Sequence, residues 1–189
     1  MGRKTRNLDK LVESKFNVFE YKEINTYDEL LKYSKENNKF SIRFDSENIR
    51  HNLPFYIYNN DLDLKEIFEE AKSINCSLLC SNGYKYDDKL LFNYVIDIDE
   101  NNDYILELCS KKVPLRDMYK YKTTIIKGNI FEKKHKIEQT YDKFDSSDIE
   151  YIFNFIINND LKYKYLEGTM YSINVGIYNE KMVIWQTYK

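Results

Sequence analysis

Four strand-like runs, "CSLLC", "LLFNYVIDID", "YILELC" and "TTIIKG", follow one another between Cys76 and Gly128 with no helical period among them. Parallel neighbours need a long crossover, usually a helix, so strands strung together in this way pair antiparallel. Upstream the period changes. "NTYDELLKYSKENN" opens with Thr26 three residues before Glu29, a capping box, and "DLDLKEIFEEAKSIN" sets Leu64, Ile67, Phe68, Ala71 and Ile74 on one helical face. A short helix is expected over "NLDKLVES". Another is expected over "SSDIEYIFNFIINND", where Ile149, Ile152, Phe153, Ile156 and Ile157 share a face behind a box from Ser147 to Glu150. "KFSIRFD" and "PFYIYN" read as strands, and "SINVGIYNEKMVIWQTYK" as a closing pair. The order is neither doubly wound nor all-β. It predicts an α+β fold with a largely antiparallel sheet, arranged as two small lobes of a single domain over 1–189 with no linker.

Composition narrows the function classes. At 189 residues, 42% hydrophobic and 32% charged, the chain can bury a sizeable core and reads as a folded, soluble protein. A formal net charge of −2 opposes any general attraction to nucleic acid or anionic membrane. No apolar run approaches the roughly 18 residues of a membrane span, and no signal-peptide core opens the chain, so a membrane role is not expected and the cytoplasm is the default location. Three cysteines, Cys76, Cys80 and Cys109, form no disulfide or zinc pattern and are expected as buried thiols. The 18 tyrosines would suit base stacking, but they accompany an excess of Asn, Lys and Ile that reads as codon bias. Nucleic acid is therefore not an expected partner, although the basic run "KGNIFEKKHK", with its aromatic residue, points that way.

Few residues carry a chemical signal alone. Arg3, Lys4 and Arg6 stand before a helix, where they are either a solvated basic end or, with unpaired backbone N–H groups, a phosphate site. Arg43, between Ile42 and Phe44, either faces solvent opposite a buried face or projects into a cleft to grip a phosphate or carboxylate. Asp97, Asp99, Glu100 and Asp103 in "VIDIDENNDY" read as a hairpin tip turned to water. Glu107, set between leucines on the opposite face, is either a surface acid or a Mg²⁺ ligand. Walker, Rossmann and zincin motifs are missing, as is any recognisable nucleophile–base arrangement.

Taken in chain order, these features resemble, in miniature, the ATP-grasp nucleotide-binding domain of pyruvate phosphate dikinase and phosphoenolpyruvate synthase. The family's opening Gly-Gly-Lys and "ANL..L...G..VP" have a counterpart in "GRKTRNLDKLVESKFNVFEYKEI", and its "AVRSS" strand in "SIRFD". Its paired strands match "NYVIDIDENNDYILELC", and its closing "DIE" strand, turn and "KL..LQTR" match "SINVGIYNEKMVIWQTYK" without a gap. The resemblance implies that Lys4 and Arg43 contact a nucleotide, with Arg43 at the terminal phosphates in a catalytic role. It places Gln186 in the same nucleotide site, facing a cleft between lobes, and makes ATP and Mg²⁺ the cofactors. Where the family has two metal-binding acids this chain has Ser172 and Asn174, and Tyr188 replaces a final arginine. Asn174 and Glu107 are then the residues on the metal side. The implied activity is phosphoryl transfer from Mg-ATP to a protein or small-molecule acceptor, since neither His51 nor His135 resembles the family's phosphorylated histidine. The lost acids predict ATP binding with little Mg²⁺ dependence and slow turnover. The alternative is a non-catalytic descendant, encoded by a mobile element, that acts as a binding or regulatory protein.

Overall fold

Two antiparallel sheets, one of four strands and one of six, organise the chain in this computed structural model. It describes residues 2–49, 53–82, 90–101, 103–109, 120–129, 131–132, 134–139, 150, 154, 170–178 and 181–188, with the backbone alone for 90–94, 139, 170–178 and 181–188. The chain divides into two units, Met1–Asp9 with Phe19–Asp88, and Lys10–Val18 with Lys89–Lys189.

The first unit holds strands β1 (Tyr21–Ile24), β2 (Phe40–Asp45), β3 (Phe55–Tyr58) and β4 (Ser77–Ser81), in the order β1-β4-β2-β3. Helices α2 (Tyr27–Glu36) and α3 (Leu64–Ser73) start where their caps dictate. Thr26 Oγ1 accepts the Glu29 amide at 3.3 Å while Glu29 returns a carboxylate to the Thr26 amide at 3.0 Å. Asp63 accepts the Lys65 and Glu66 amides at the start of α3. The pleat of β2 sends alternate residues to opposite faces. Phe40, Ile42 and Phe44 join Leu30, Ile67, Phe68 and Ala71 in a core beneath α2 and α3. Phe40 meets Tyr33 edge-on at 4.9 Å and Tyr58 at 4.8 Å, so this strand end is clamped by aromatic contacts from both neighbours. Ser41, Arg43 and Asp45 take the other face, against which α1 (Arg3–Glu13) begins.

The second unit holds β5 (Leu90–Asp99), β6 (Asp103–Cys109), β7 (Thr124–Asn129), β8 (Lys134–Gln139), β9 (Met170–Tyr178) and β10 (Lys181–Tyr188). Their order is β10-β9-β5-β6-β7-β8, so the meander β5 to β8 is extended on its other side by the terminal hairpin. Three ladders each pass over one residue: Leu91 in β5, Glu138 in β8 and Trp185 in β10.

The α+β class and the antiparallel sheets are as the order of sequence periods implies, and all three cysteines are buried thiols. Two strands, β1 and β8, were not expected, and α1 starts four residues earlier than the apolar pattern suggests. Of the helix expected over 146–160, only Glu150 and Asn154 are described; both are helical, and the remainder lies outside the described residues. Among the described residues no helix is long and apolar enough to cross a membrane.

Candidate functional site

In the first unit the chemistry gathers at the end of β2. Asp45, 1% exposed, accepts the Lys4 amide at 2.9 Å, the Thr5 amide at 2.8 Å and the Thr5 hydroxyl at 2.8 Å. First-turn amides have no partner within a helix, and a carboxylate there also meets the positive end of the helix dipole. The Lys4 and Thr5 amides at the start of α1 thus already serve Asp45. Gly2 lies so close that a Cβ would collide with the Asp45 side chain, and its amide donates to Glu23 at 3.0 Å. Arg6 pairs with Glu47.

The Lys4 ammonium donates to the Phe44 carbonyl at 2.9 Å. Burial lowers its pKa, the Asp45 carboxylate opposes that shift, and Arg43 and Arg3 add to it. Arg43 is half-buried on the same face as Asp45, with its guanidinium carbon 5.4 Å from the centre of the Phe55 ring. Lys4 and Arg43, 39 positions apart in sequence, are thus brought close enough for their charges to interact.

In the second unit the register arranges the other candidates. Gln186 pairs with Asn174, Asn174 with Val95, Val95 with Glu107, and Glu107 with Ile125. The next row in the same phase runs Tyr188, Ser172, Asp97, Ile105, Lys127, Lys136. Positions directly opposite in a ladder share a face of the sheet. Between these rows lie Ile96, Leu106 and Ile126, each fully buried, whereas Glu107, Asp97 and Lys127 are exposed. Gln186, Asn174 and Glu107 therefore stand in one row of the sheet, in which Glu107 is exposed.

Asp97, Ile105, Lys127 and Lys136 also line a cavity of about 670 Å³, together with Asp103 and Lys134. The basic run that suggests nucleic acid falls on β7 and β8, where Lys127 reaches Glu138 at 2.8 Å and Lys136 reaches the same carboxylate at 3.8 Å. His135 is exposed on β8, and His51 lies outside the described residues. Asp97 is exposed, as expected, but the alternation in "VIDID" puts it on β5 in phase with Val95 rather than in the turn.

The architecture is similar to that of ATP-grasp enzymes of known structure. Carboxyaminoimidazole ribonucleotide synthase from Aspergillus clavatus, complexed with ATP, matches with a TM-score of 0.59 at 9% identity, covering 98% of this chain and 44% of that one. D-alanine–D-alanine ligase from Bacillus anthracis, also complexed with ATP, matches at 0.57 and 9% identity, covering 97% and 53%. The fold is ATP-grasp-like. A RimK-domain ATP-grasp protein from Sphaerobacter thermophilus matches at 0.56 and 9% identity, over 97% and 57%. The chain thus spans about half the length of these ATP-grasp structures. No family model and no curated protein matches the sequence. The ATP-grasp part of the sequence resemblance is supported. Its narrower part, to pyruvate phosphate dikinase and phosphoenolpyruvate synthase, is not.

Proposed function

We propose that the chain is an ATP-binding protein of ligase type, with both units parts of one nucleotide-binding domain. The observation that carries this reading is the two-sheet architecture itself, which follows two ATP-bound structures along nearly the whole chain. Lys4 and Arg43 are read as the cationic contacts to the phosphates, and Gln186 and Asn174, neighbours in the terminal ladder, as polar contacts on the second sheet. A divalent cation fits this chain only as a shared guest. Among the described residues no group of three or more His, Cys, Asp or Glu forms a cage, but Mg²⁺ needs one or two carboxylates, with water and phosphate completing its shell. When bound, it supplies charge neutralisation at the phosphates.

Transfer of phosphate from ATP depends on positioning and charge rather than on a protein nucleophile, which suits a sequence with no recognisable nucleophile–base arrangement. The test is a thermal-shift series with ATP, GTP and no nucleotide, with and without Mg²⁺. ATP at a hundred times its dissociation constant is expected to stabilise the protein by about 2.7 kcal/mol. Equal melting temperatures with and without ATP, in both metal conditions, would overturn the reading.

A further inference from the structure

We propose that the first unit holds one structural water at the polar end of its helix-side core, bound by the Tyr33 hydroxyl, the Asn82 side-chain carbonyl and the Glu20 carboxylate. The site lies on the face of the sheet opposite Arg43 and does not depend on the nucleotide-binding reading.

Register brings the three groups together. Tyr21 pairs with Ser81, and the ladder runs one rung further, since the Asn82 amide donates to the Glu20 carbonyl at 3.2 Å. Glu20 and Asn82 are thus directly opposed and share a face. Cys80 is fully buried in the core beneath α2 and α3, and alternation turns Asn82, two residues on, to that same side. Tyr33 enters from α2, its ring edge-on to Phe40 at 4.9 Å. Phe40 precedes Ser41, the β2 partner of Ser81, so the tyrosine closes this end of the sheet. Burial pushes the Tyr33 phenol above its ordinary pKa, and Cys80, Glu20 and Glu36 add to the shift, which sets the hydroxyl near Glu20.

The polar accounting at this end does not close within the protein. Tyr33 is 4% exposed and Asn82 7%, and among the described residues the Tyr33 hydroxyl and Asn82 Oδ1 have no hydrogen-bond partner. Native structures rarely leave such atoms unmatched. Turning the Asn82 amide over does not help. Its Nδ2 donates to Glu20 at 2.8 Å, and a carboxylate only accepts, so Oδ1 is the atom left over.

The chemistry selects the occupant. The Tyr33 O–H needs an acceptor, whereas Asn82 Oδ1 needs a donor. A water accepts from the phenol, gives one hydrogen to Oδ1 and the other to Glu20. Those three bonds are the usual complement of a buried water. A monovalent cation or an ammonium group would serve the oxygens of Asn82 and Glu20 but leave the Tyr33 donor unmatched. The water thereby ties α2 to the ends of β1 and β4.

The experiment joins thermal melting of the full chain with its high-resolution crystal structure. Deleting an unmatched buried hydroxyl is neutral or stabilising, whereas deleting a water-bonded one loses a bond, so Tyr33→Phe separates the cases by sign. It is expected to lower the melting temperature by about 2–4 °C. Asn82→Ala, which also gives up the contact with Glu20, should lower it further. The double variant should fall by less than the sum, because either single change already loosens the shared water. The crystal structure should show one water within about 3.2 Å of Tyr33 Oη, Asn82 Oδ1 and a Glu20 oxygen. A Tyr33→Phe protein that melts at or above the wild-type temperature overturns the proposal, as do strictly additive losses. A dry site in the crystal overturns it too, and an anomalous peak there after a thallium soak assigns the place to a cation instead.

Discussion

Asp45→Ala is expected to destabilise the first unit by about 3–5 kcal/mol, the range for removing one partner from a buried charged cluster. The carboxylate is 1% exposed and receives three hydrogen bonds, from the Lys4 amide, the Thr5 amide and the Thr5 hydroxyl. Alanine would leave all three donors facing a small void. Thr5 is itself 4% exposed, so water could not easily replace the lost acceptor. Lys4 would lose the largest of the charge interactions that oppose the depression of its pKa by burial. Asp45→Asn should cost less, because one oxygen remains, but its NH₂ would meet a donor rather than an acceptor. Urea unfolding of both variants gives the energies, and hydrogen exchange at the Lys4 and Thr5 amides locates the damage. A loss below about 1 kcal/mol for Asp45→Ala, within the net worth of one ordinary hydrogen bond, would show that α1 is held by something other than this carboxylate.

Arg43→Ala is expected to weaken ATP binding by about 1.5–3 kcal/mol, the worth of a hydrogen bond to a charged group. The fold should survive the change. Arg43 is half-buried, and its stacking over Phe55 at 5.4 Å contributes on the order of 0.5–1 kcal/mol at such a site. Arg43→Lys keeps the charge but not the planar fork, so an intermediate affinity would indicate bidentate contact with phosphate. Calorimetry on the three proteins, each with its melting temperature checked, is the measurement. Unchanged ATP affinity in a folded Arg43→Ala protein would remove Arg43 from the site.

The elements legible in the sequence are those whose apolar period is set by their own core. Helices α2 and α3 carry both a cap and a buried stripe, and β2 alternates Phe40, Ile42 and Phe44 against Ser41, Arg43 and Asp45. What escaped reading is fixed from elsewhere. The start of α1 has no apolar pattern at Arg3, Lys4 and Thr5, because its anchor is a carboxylate forty residues away in sequence. Strand β8 is an edge whose residues 134–138 are all exposed, so no alternation marks it, and charged residues are usual on such edges. Strand β1 is four residues long with only Ile24 fully buried. For the candidate site, Lys4 and Arg43 are named by the resemblance rather than by local pattern, and their closeness depends on Asp45 holding the start of α1 against β2.

The residue passed over in the terminal ladder explains why a glutamine follows the only tryptophan. Up to Ile184 each β10 residue pairs in step with β9, Ile184 opposite Val175; then Gln186, not Trp185, stands opposite Asn174. Without that skip, Trp185 would hold the place beside Asn174, and Gln186 would fall opposite Ile173, in the row of the fully buried Ile96, Leu106 and Ile126. One supernumerary residue thus puts Gln186 rather than Trp185 in the row of Asn174 and Glu107. The same arithmetic gives the terminal strand an unusual tolerance. Excising Trp185 would close the ladder into an unbroken one and still leave Gln186, Thr187 and Tyr188 with their present partners, whereas excising a residue from 186 onward would throw the chain's end out of phase. The tryptophan and the alignment of the glutamine are therefore separable by a single deletion, which few strand positions permit.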